Sequence, residues 1–280
     1  MLTATVFIAA TMILAKALGT DALGPALHPF QISQGRFMFA LLGILTVAAL
    51  VKPKFTKPNI KFHFVRAFFG WAGVTLMFAS VIFIPVSDAT AISFLNPVFA
   101  MALAIPFLGE RVGPIRWIAA AIAMSGALIL LRPGPETFQA AALLSLAAAM
   151  AFGVEITLMK RLSRNEGAFQ IILINNIFGF TFATIAVSFV WFAPTLAQWV
   201  ALTALGGLMA MAQVCYVNSI IRADASLVVP FSYATLVFAT FYDWVFFYAV
   251  PDQISLIGAG VIVAGAALLA WRETKAARQR

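Results

Sequence analysis

The sequence predicts an all-α integral membrane protein: ten transmembrane helices arranged as two inverted five-helix repeats. Three observations predict it. Of the 280 residues, 63% are hydrophobic and only 10% charged, with a mean hydropathy of +1.00, which leaves too little polar surface to cover a water-soluble globule. The apolar stretches are continuous over about 20 residues rather than alternating over about ten, which selects helices over a barrel. The chain also repeats itself. Phe30-Gln31-Ile32 recurs as Phe169-Gln170-Ile171, Leu14, Lys16 and Leu18 as Leu158, Lys160 and Leu162, Asp88-Ala89-Thr90 as Asp224-Ala225-Ser226, and Gly126-Ala127 as Gly265-Ala266. The repeats divide the chain into residues 1–133 and 134–280. Each half holds an odd number of spans, so the two copies are expected to lie antiparallel in the bilayer.

Breaks of Pro, Gly and charge set the ten spans in order. The first, 2–20, has an apolar stretch that opens the chain; it lacks a basic leader and a small-residue cleavage site and is expected to be a mature helix. The second, 30–51, follows His28-Pro29 and ends at Lys52-Pro53; the third, 64–84, follows a basic loop and stops at Pro85. The fourth, 88–108, is expected to be one helix with Asn96-Pro97 near its middle, and the fifth, 115–131, runs from Pro114 to Arg132-Pro133. The second half supplies 138–160, 168–192, 197–221, 225–248 and 253–271.

Lysine and arginine set the orientation. With the N-terminus inside, the cytoplasmic loops and tail hold Lys52, Lys54, Lys57, Lys61, Arg66, Arg111, Arg116, Lys160, Arg161, Arg164, Arg222, Arg272, Lys275, Arg278 and Arg280. The outer loops hold only Arg132, so both termini are expected in the cytoplasm and the protein in the inner membrane. Anionic lipid at the inner leaflet accounts for the formal charge of +8 without any nucleic acid. The lone Cys215 sits in an apolar run and reads as a small hydrophobe. His28 reads as a loop residue and His63 as a member of the basic loop; they lie at opposite faces and cannot share a metal. No phosphate-binding loop follows a strand, and no enzyme or cofactor constellation is visible, so neither catalysis nor a cofactor is expected.

From Arg66 to Pro133 the residues are RAFFGWAGVTLMFASVIFIPVSDATAISFLNPVFAMALAIPFLGERVGPIRWIAAAIAMSGALILLRP, with a proline turn before span four, Asn96-Pro97 within it and Leu108-Gly109-Glu110-Arg111 closing it. This stretch resembles the first repeat of the EamA family in the drug/metabolite transporter superfamily. RADASLVVPFSYATLVF at 222–238 and PDQISLIGAGVIVAG at 251–265 resemble the second, so the likeness covers nearly the whole chain. The details look closest to the branch of riboflavin and S-adenosylmethionine importers and some metallophore exporters. The resemblance implies ten helices, cytoplasmic termini and a central cavity walled by spans one to four and six to nine, with spans five and ten at the side. Where the second repeat usually carries a Gly-Glu pair, this chain has Tyr248-Ala249 before Val250-Pro251-Asp252, which weakens any equivalence of the two gates.

Four charged residues fall inside spans, and each needs water, a partner or the interface to offset its cost. Lys16, Arg36 and Asp243 are placed in the outer half at comparable height, where two cations and one anion are expected to cluster and leave one cation for an anionic group on a substrate. Lys16 alternatively snorkels, and Arg36 alternatively pins helices. Glu155 lies at the cytoplasmic end, five residues before Lys160, and requires a partner on another helix or water. Coupling or gating is expected of Glu155, Asp243 and Lys16, with proton coupling through Glu155 or Asp243 as one reading and snorkelling of Glu155 to the cytoplasmic surface as the alternative. The repeat partner of Arg36 is Asn175, next to Asn176. Further lining is expected from Trp71 and Thr75, in a stripe with Phe78, from Asn96, from Gln213 and Tyr216 on one face of span eight, and from Tyr233 after Pro230. Small residues Ala119, Ala123 and Ala127 in span five, and Gly258, Gly260, Ala264 and Gly265 in span ten, either pack together or form a dimer face. The expected partners are a small-molecule substrate and membrane lipid, for a monomer or homodimer. The expected function is secondary transport of a small polar metabolite, amino-acid-derived or vitamin-like, by alternating access, proton-coupled or by exchange. A channel and a lipid-headgroup flippase are the alternatives.

Overall fold

The computed structural model describes residues 1–53, 55–108, 113–131, 140–163, 165–222 and 234–277. Among them are eleven α-helices and no strand: α1 (Leu2–Gly19), α2 (Pro29–Val51), α3 (Ile60–Phe83), α4 (Val86–Ser93), α5 (Asn96–Leu108), α6 (Pro114–Leu131), α7 (Ala142–Leu162), α8 (Ala168–Val187), α9 (Leu196–Arg222), α10 (Ala234–Phe247) and α11 (Gln253–Ala277). Seven apolar segments are long enough to cross a membrane, with α4 and α5 counted as one, and three shorter apolar helices accompany them. In hydrocarbon every backbone polar group must be satisfied internally, which is why the apolar runs emerge as helices.

Span four departs from its expected single helix. The chain turns at Phe94 and Leu95, where Phe94 N donates to Ala91 O and Leu95 N to Ile92 O, and α5 restarts at Asn96. Pro97 has no N–H to carry the ladder through, so the break falls just before it. Asn96 is thus the first residue of α5 rather than a mid-helix side chain.

Contacts between named residues fix the relative directions. Gly70 and Gly73 of α3 meet Glu155 and Phe152 of α7, and Ser80 bonds Ser145 and the Ala141 carbonyl, so α3 and α7 run antiparallel. Gly35 and Gly206 allow α2 and α9 to approach in parallel, through Gly35 on Leu202, Phe39 on Gly206 and Gly43 on Ala210. The Met1 ammonium donates to Ser219 near the end of α9. Gly19 touches Ile82, which places the ends of α1 and α3 together. One face of the molecule therefore carries Met1, the α2–α3 loop and the α7–α8 loop with Lys57, Lys61, Lys160 and Arg161. We call it the basic face. The opposite face carries the α1–α2 and α8–α9 connections.

The packing pairs follow the sequence repeat. α3 packs on α7 as α9 packs on α1, and α2 on α9 as α8 on α3; α2 with α8 and α6 with α11 are pairs of counterparts. The α6–α11 seam answers the question the small residues left open. Ala119, Ala123 and Ala127 are buried, and Gly126, Gly258 and Gly265 bring backbone against backbone, with Gly265 under the Ala119 carbonyl and Gly126 under that of Gly258. They pack on each other. Gly260 and Ala264 face away from the seam.

Candidate functional site

Hydroxyl groups in these helices usually satisfy themselves. Thr11, Thr46, Thr181 and Thr240 donate to their own helix carbonyls at 2.7, 2.9, 3.0 and 2.9 Å. Thr75 of α3 and Thr90 of α4 do not: both Oγ1 atoms are buried and unpartnered. The same holds for Arg36 Nη1 on α2, Trp71 Nε1 on α3, and Asn175 Oδ1 and Asn176 Oδ1 on α8. Such groups cost free energy unless water or a ligand serves them. Five of these six residues are ones that the sequence marks as lining.

Arg36 is 5% exposed, its guanidinium lies 4.3 Å from the Phe37 ring, and it forms no ion pair among the described residues. It does not join the cluster expected with Lys16 and Asp243. Those two pair with each other alone: Lys16 Nζ reaches Asp243 Oδ1 at 2.6 Å, and Oδ2 accepts from Val86 N at 2.7 Å, at the first turn of α4. Lys16 also lies over the Phe247 ring at 4.6 Å, so it is held inside rather than snorkelling. The cation without an ion pair among the described residues is Arg36 all the same, but under the influence of a different carboxylate.

That carboxylate is Glu155. Its partner is Arg66, whose Nη2 donates to Oε1 at 3.1 Å while Nη1 donates to the Ile171 carbonyl at 3.2 Å. Its carboxyl group rests against Gly70, where a Cβ would come within 3.0 Å. The Glu155 charge acts on Arg36, Arg66 and Tyr216 together. Arg66 is a correction to the sequence reading. Counted there as a loop cation, it is 4% exposed inside α3, because the helix begins at Ile60 and carries it inward. Nothing local in the sequence distinguishes it from the lysines before it.

Asn176 Nδ2 donates to the Ile172 carbonyl at 2.9 Å and to Gln213 Oε1 at 3.4 Å, so Gln213 of α9 joins this group. Tyr216 is 37% exposed on the next turn. Trp71 stands among rings, with centroids 6.0 Å from Phe30, 5.9 Å from Phe68 and 6.1 Å from Phe182. Phe78 leaves the stripe for the hydrophobic core. Tyr233, Glu110 and the stretch 223–233 lie outside the described residues.

A second polar cluster occupies the basic face, and its central residue was read only as a loop histidine. His63 is fully buried, and its Nε2 lies 2.8 Å from Glu166 Oε2. Glu166 also accepts from Gln170 Nε2 at 2.6 Å and from Asn59 N at 3.0 Å. Burial alone would raise the Glu166 carboxyl, but the bonds from Asn59, His63 and Gln170 and the nearby imidazole outweigh it and hold the group below the ordinary carboxylate range. His28 on the opposite face caps α2, its Nδ1 accepting from Phe30 N at 3.2 Å.

Comparison with known proteins gives this geometry a family. A model of the EamA-like transporter family matches residues 1–132 and again 139–271. An S-adenosylmethionine uptake transporter of Rickettsia bellii is 27% identical, covering 91% of this chain and 88% of that protein. A riboflavin transporter of Vibrio cholerae is 28% identical over 78% of this chain and 74% of its own. A pseudopaline exporter of Pseudomonas aeruginosa is 24% identical over 85% of each. A chain of known crystal structure superposes with a TM-score of 0.63 at 20% identity, covering 95% of this chain and 96% of that one, a likeness of fold alone. Matched along both halves, this multi-pass membrane chain belongs to the EamA-like transporter family.

Proposed function

We propose that this protein is a secondary carrier of the inner membrane that moves a small polar organic metabolite by alternating access, its two inverted halves rocking about a central site with both termini cytoplasmic. The observation that carries this reading is the set of buried, unpartnered polar atoms on Arg36, Trp71, Thr75, Asn175 and Asn176. These atoms belong to α2, α3 and α8, which pack on one another, with α8 tied to α9 through Gln213. A guanidinium with no carboxylate partner among the described residues suits a carboxylate or phosphate on the cargo. Amides on the counterpart helix suit its neutral polar groups, and Trp71 offers a ring face. The relatives' printed cargoes, S-adenosylmethionine and riboflavin, support a cargo that is amino-acid-derived or vitamin-like.

Glu155 is the coupling carboxylate in this reading, because among the described residues it accepts one hydrogen bond, from Arg66, and its charge reaches Arg36. Asp243, with both oxygens engaged, is a structural pin. The test is counterflow in proteoliposomes preloaded with unlabelled members of a metabolite panel. Saturable accumulation of labelled cargo, lost in Arg36→Gln and altered in its pH-gradient dependence in Glu155→Gln, supports the carrier. Unsaturable flux without counterflow would point to a channel and end the proposal.

A further inference from the structure

The repeated Phe-Gln-Ile triplet has a physical use that the central site does not absorb. Gln31 is the third residue of α2 and Gln170 the third of α8. The two helices run antiparallel against each other, with the Phe37 ring seated on Gly179. Each glutamine reaches the backbone just past the end of the other's helix. Gln31 Nε2 donates to the Phe192 carbonyl at 2.5 Å while its Oε1 accepts from Phe192 N at 3.3 Å. At the other end Gln170 Oε1 accepts from Thr56 N at 2.8 Å and from Thr56 Oγ1 at 3.3 Å. The glutamines are 0% and 4% exposed, whereas Phe192 and Thr56 lie on exposed loops, so a buried side chain grips a surface loop at each face.

We propose that Gln31 and Gln170 are reciprocal gate latches, one per face, each of which must release its loop for the central site to open on its side. The proposal rests on the alternating-access reading above. The reciprocity supports it: the two glutamines hold the same kind of target, the loop after the partner helix, at opposite ends of one helix pair, which puts one such contact at each face. The chemistry suits a latch as well. Neutral amide bonds to backbone are short and directional but modest in net energy, so they hold a closed loop without locking it. The two latches differ in reinforcement. Gln170 is braced by Glu166, which also takes His63 and the Asn59 amide, while Gln31 acts without a charged neighbour in its hydrogen bonds. The gate on the basic face is therefore the stiffer one.

The test reads access without needing the cargo. In a Cys215→Ser background, Thr75→Cys places a thiol in the central polar group, and a membrane-impermeant maleimide is applied to right-side-out and inside-out vesicles. Gln31→Ala is expected to raise the labelling rate about five- to tenfold from the face bearing Phe192 only, and Gln170→Ala by a smaller factor from the face bearing Thr56 only. Should an alanine variant fail to fold, two further pairs report on closure: Gln31→Cys with Phe192→Cys, and Gln170→Cys with Thr56→Cys, each bridged by a short bis-maleimide before labelling. Each bridge is expected to block labelling from its own face alone. Labelling that rises on the same face in both variants, that rises on neither in folded protein, or that ignores a bridge on its own face overturns the latches. Failure of counterflow with sided labelling intact would overturn the carrier reading instead.

Discussion

Two buried ion pairs in this molecule look alike on paper and differ in what they leave undone. In Lys16–Asp243 every strong group is spoken for: the carboxylate holds an ammonium and a helix-start N–H and is 1% exposed, and the ammonium lies over a ring. In Arg66–Glu155 the carboxylate is 19% exposed, accepts one hydrogen bond among the described residues, and acts on a second arginine that has no ion-pair partner among them. A closed set of bonds stabilises one arrangement. An open set can exchange partners, which is what a site that takes up a charged cargo and lets it go requires.

The largest effect should come from the closed pair. Asp243→Ala leaves an unpaired buried ammonium and frees the α4 N-terminus, which should cost about 3–5 kcal/mol and lower the thermal midpoint in detergent sharply. Glu155→Ala should shift the midpoint much less, since Arg66 keeps the Ile171 carbonyl; equal losses would erase the contrast. Next comes Arg36→Gln. It removes a charge that has no ion-pair partner among the described residues, so it should leave stability nearly unchanged while weakening cargo affinity about ten- to hundredfold, the value of a charged hydrogen bond, read as the rise in cargo concentration needed for half-maximal thermal stabilisation. A large drop in stability with unaltered cargo response would make Arg36 a helix pin.

The smallest effect concerns pH at the basic face. Glu166 sits below its ordinary pKa in the folded protein, so the unfolded chain binds its proton more readily. Its stabilisation is therefore full at neutral pH and disappears as pH falls through the ordinary carboxyl range toward the folded value. Wild type should lose stability on acidification over that window, and Glu166→Gln should lose less. An identical acid slope in both proteins would show that the His63 cluster contributes nothing.

The spans were legible because hydrocarbon accepts little but apolar helices, and lysine clusters mark their ends. Arg36, Asn175 and Asn176 were legible for the same reason in reverse: polar groups deep in such segments demand a purpose. Arg66 and His63 were not, because both stand within the first two turns of α3, where a charge reads as interface. What buries them is long-range: Glu155, Ile171 and Glu166 come from the second half of the chain. The break before Asn96 was half legible, since Pro97 advertised a lost donor but not the turn that precedes it. The Lys16–Asp243 pairing followed from depth alone, whereas the absence of Arg36 from it depends on which way α2 faces.

The glycine seam between α6 and α11 carries a mechanical consequence. Main chain lies against main chain at Gly126 and Gly265, and the Leu130 side chain fills the space at Gly258, so these two rods sit as close as backbone allows and form a tightly packed spine. The final helix of each copy belongs to it. In the carrier reading this spine is the post from which the other helices swing, and lengthening any of those three glycines by a methyl group would bend the post rather than stiffen the door.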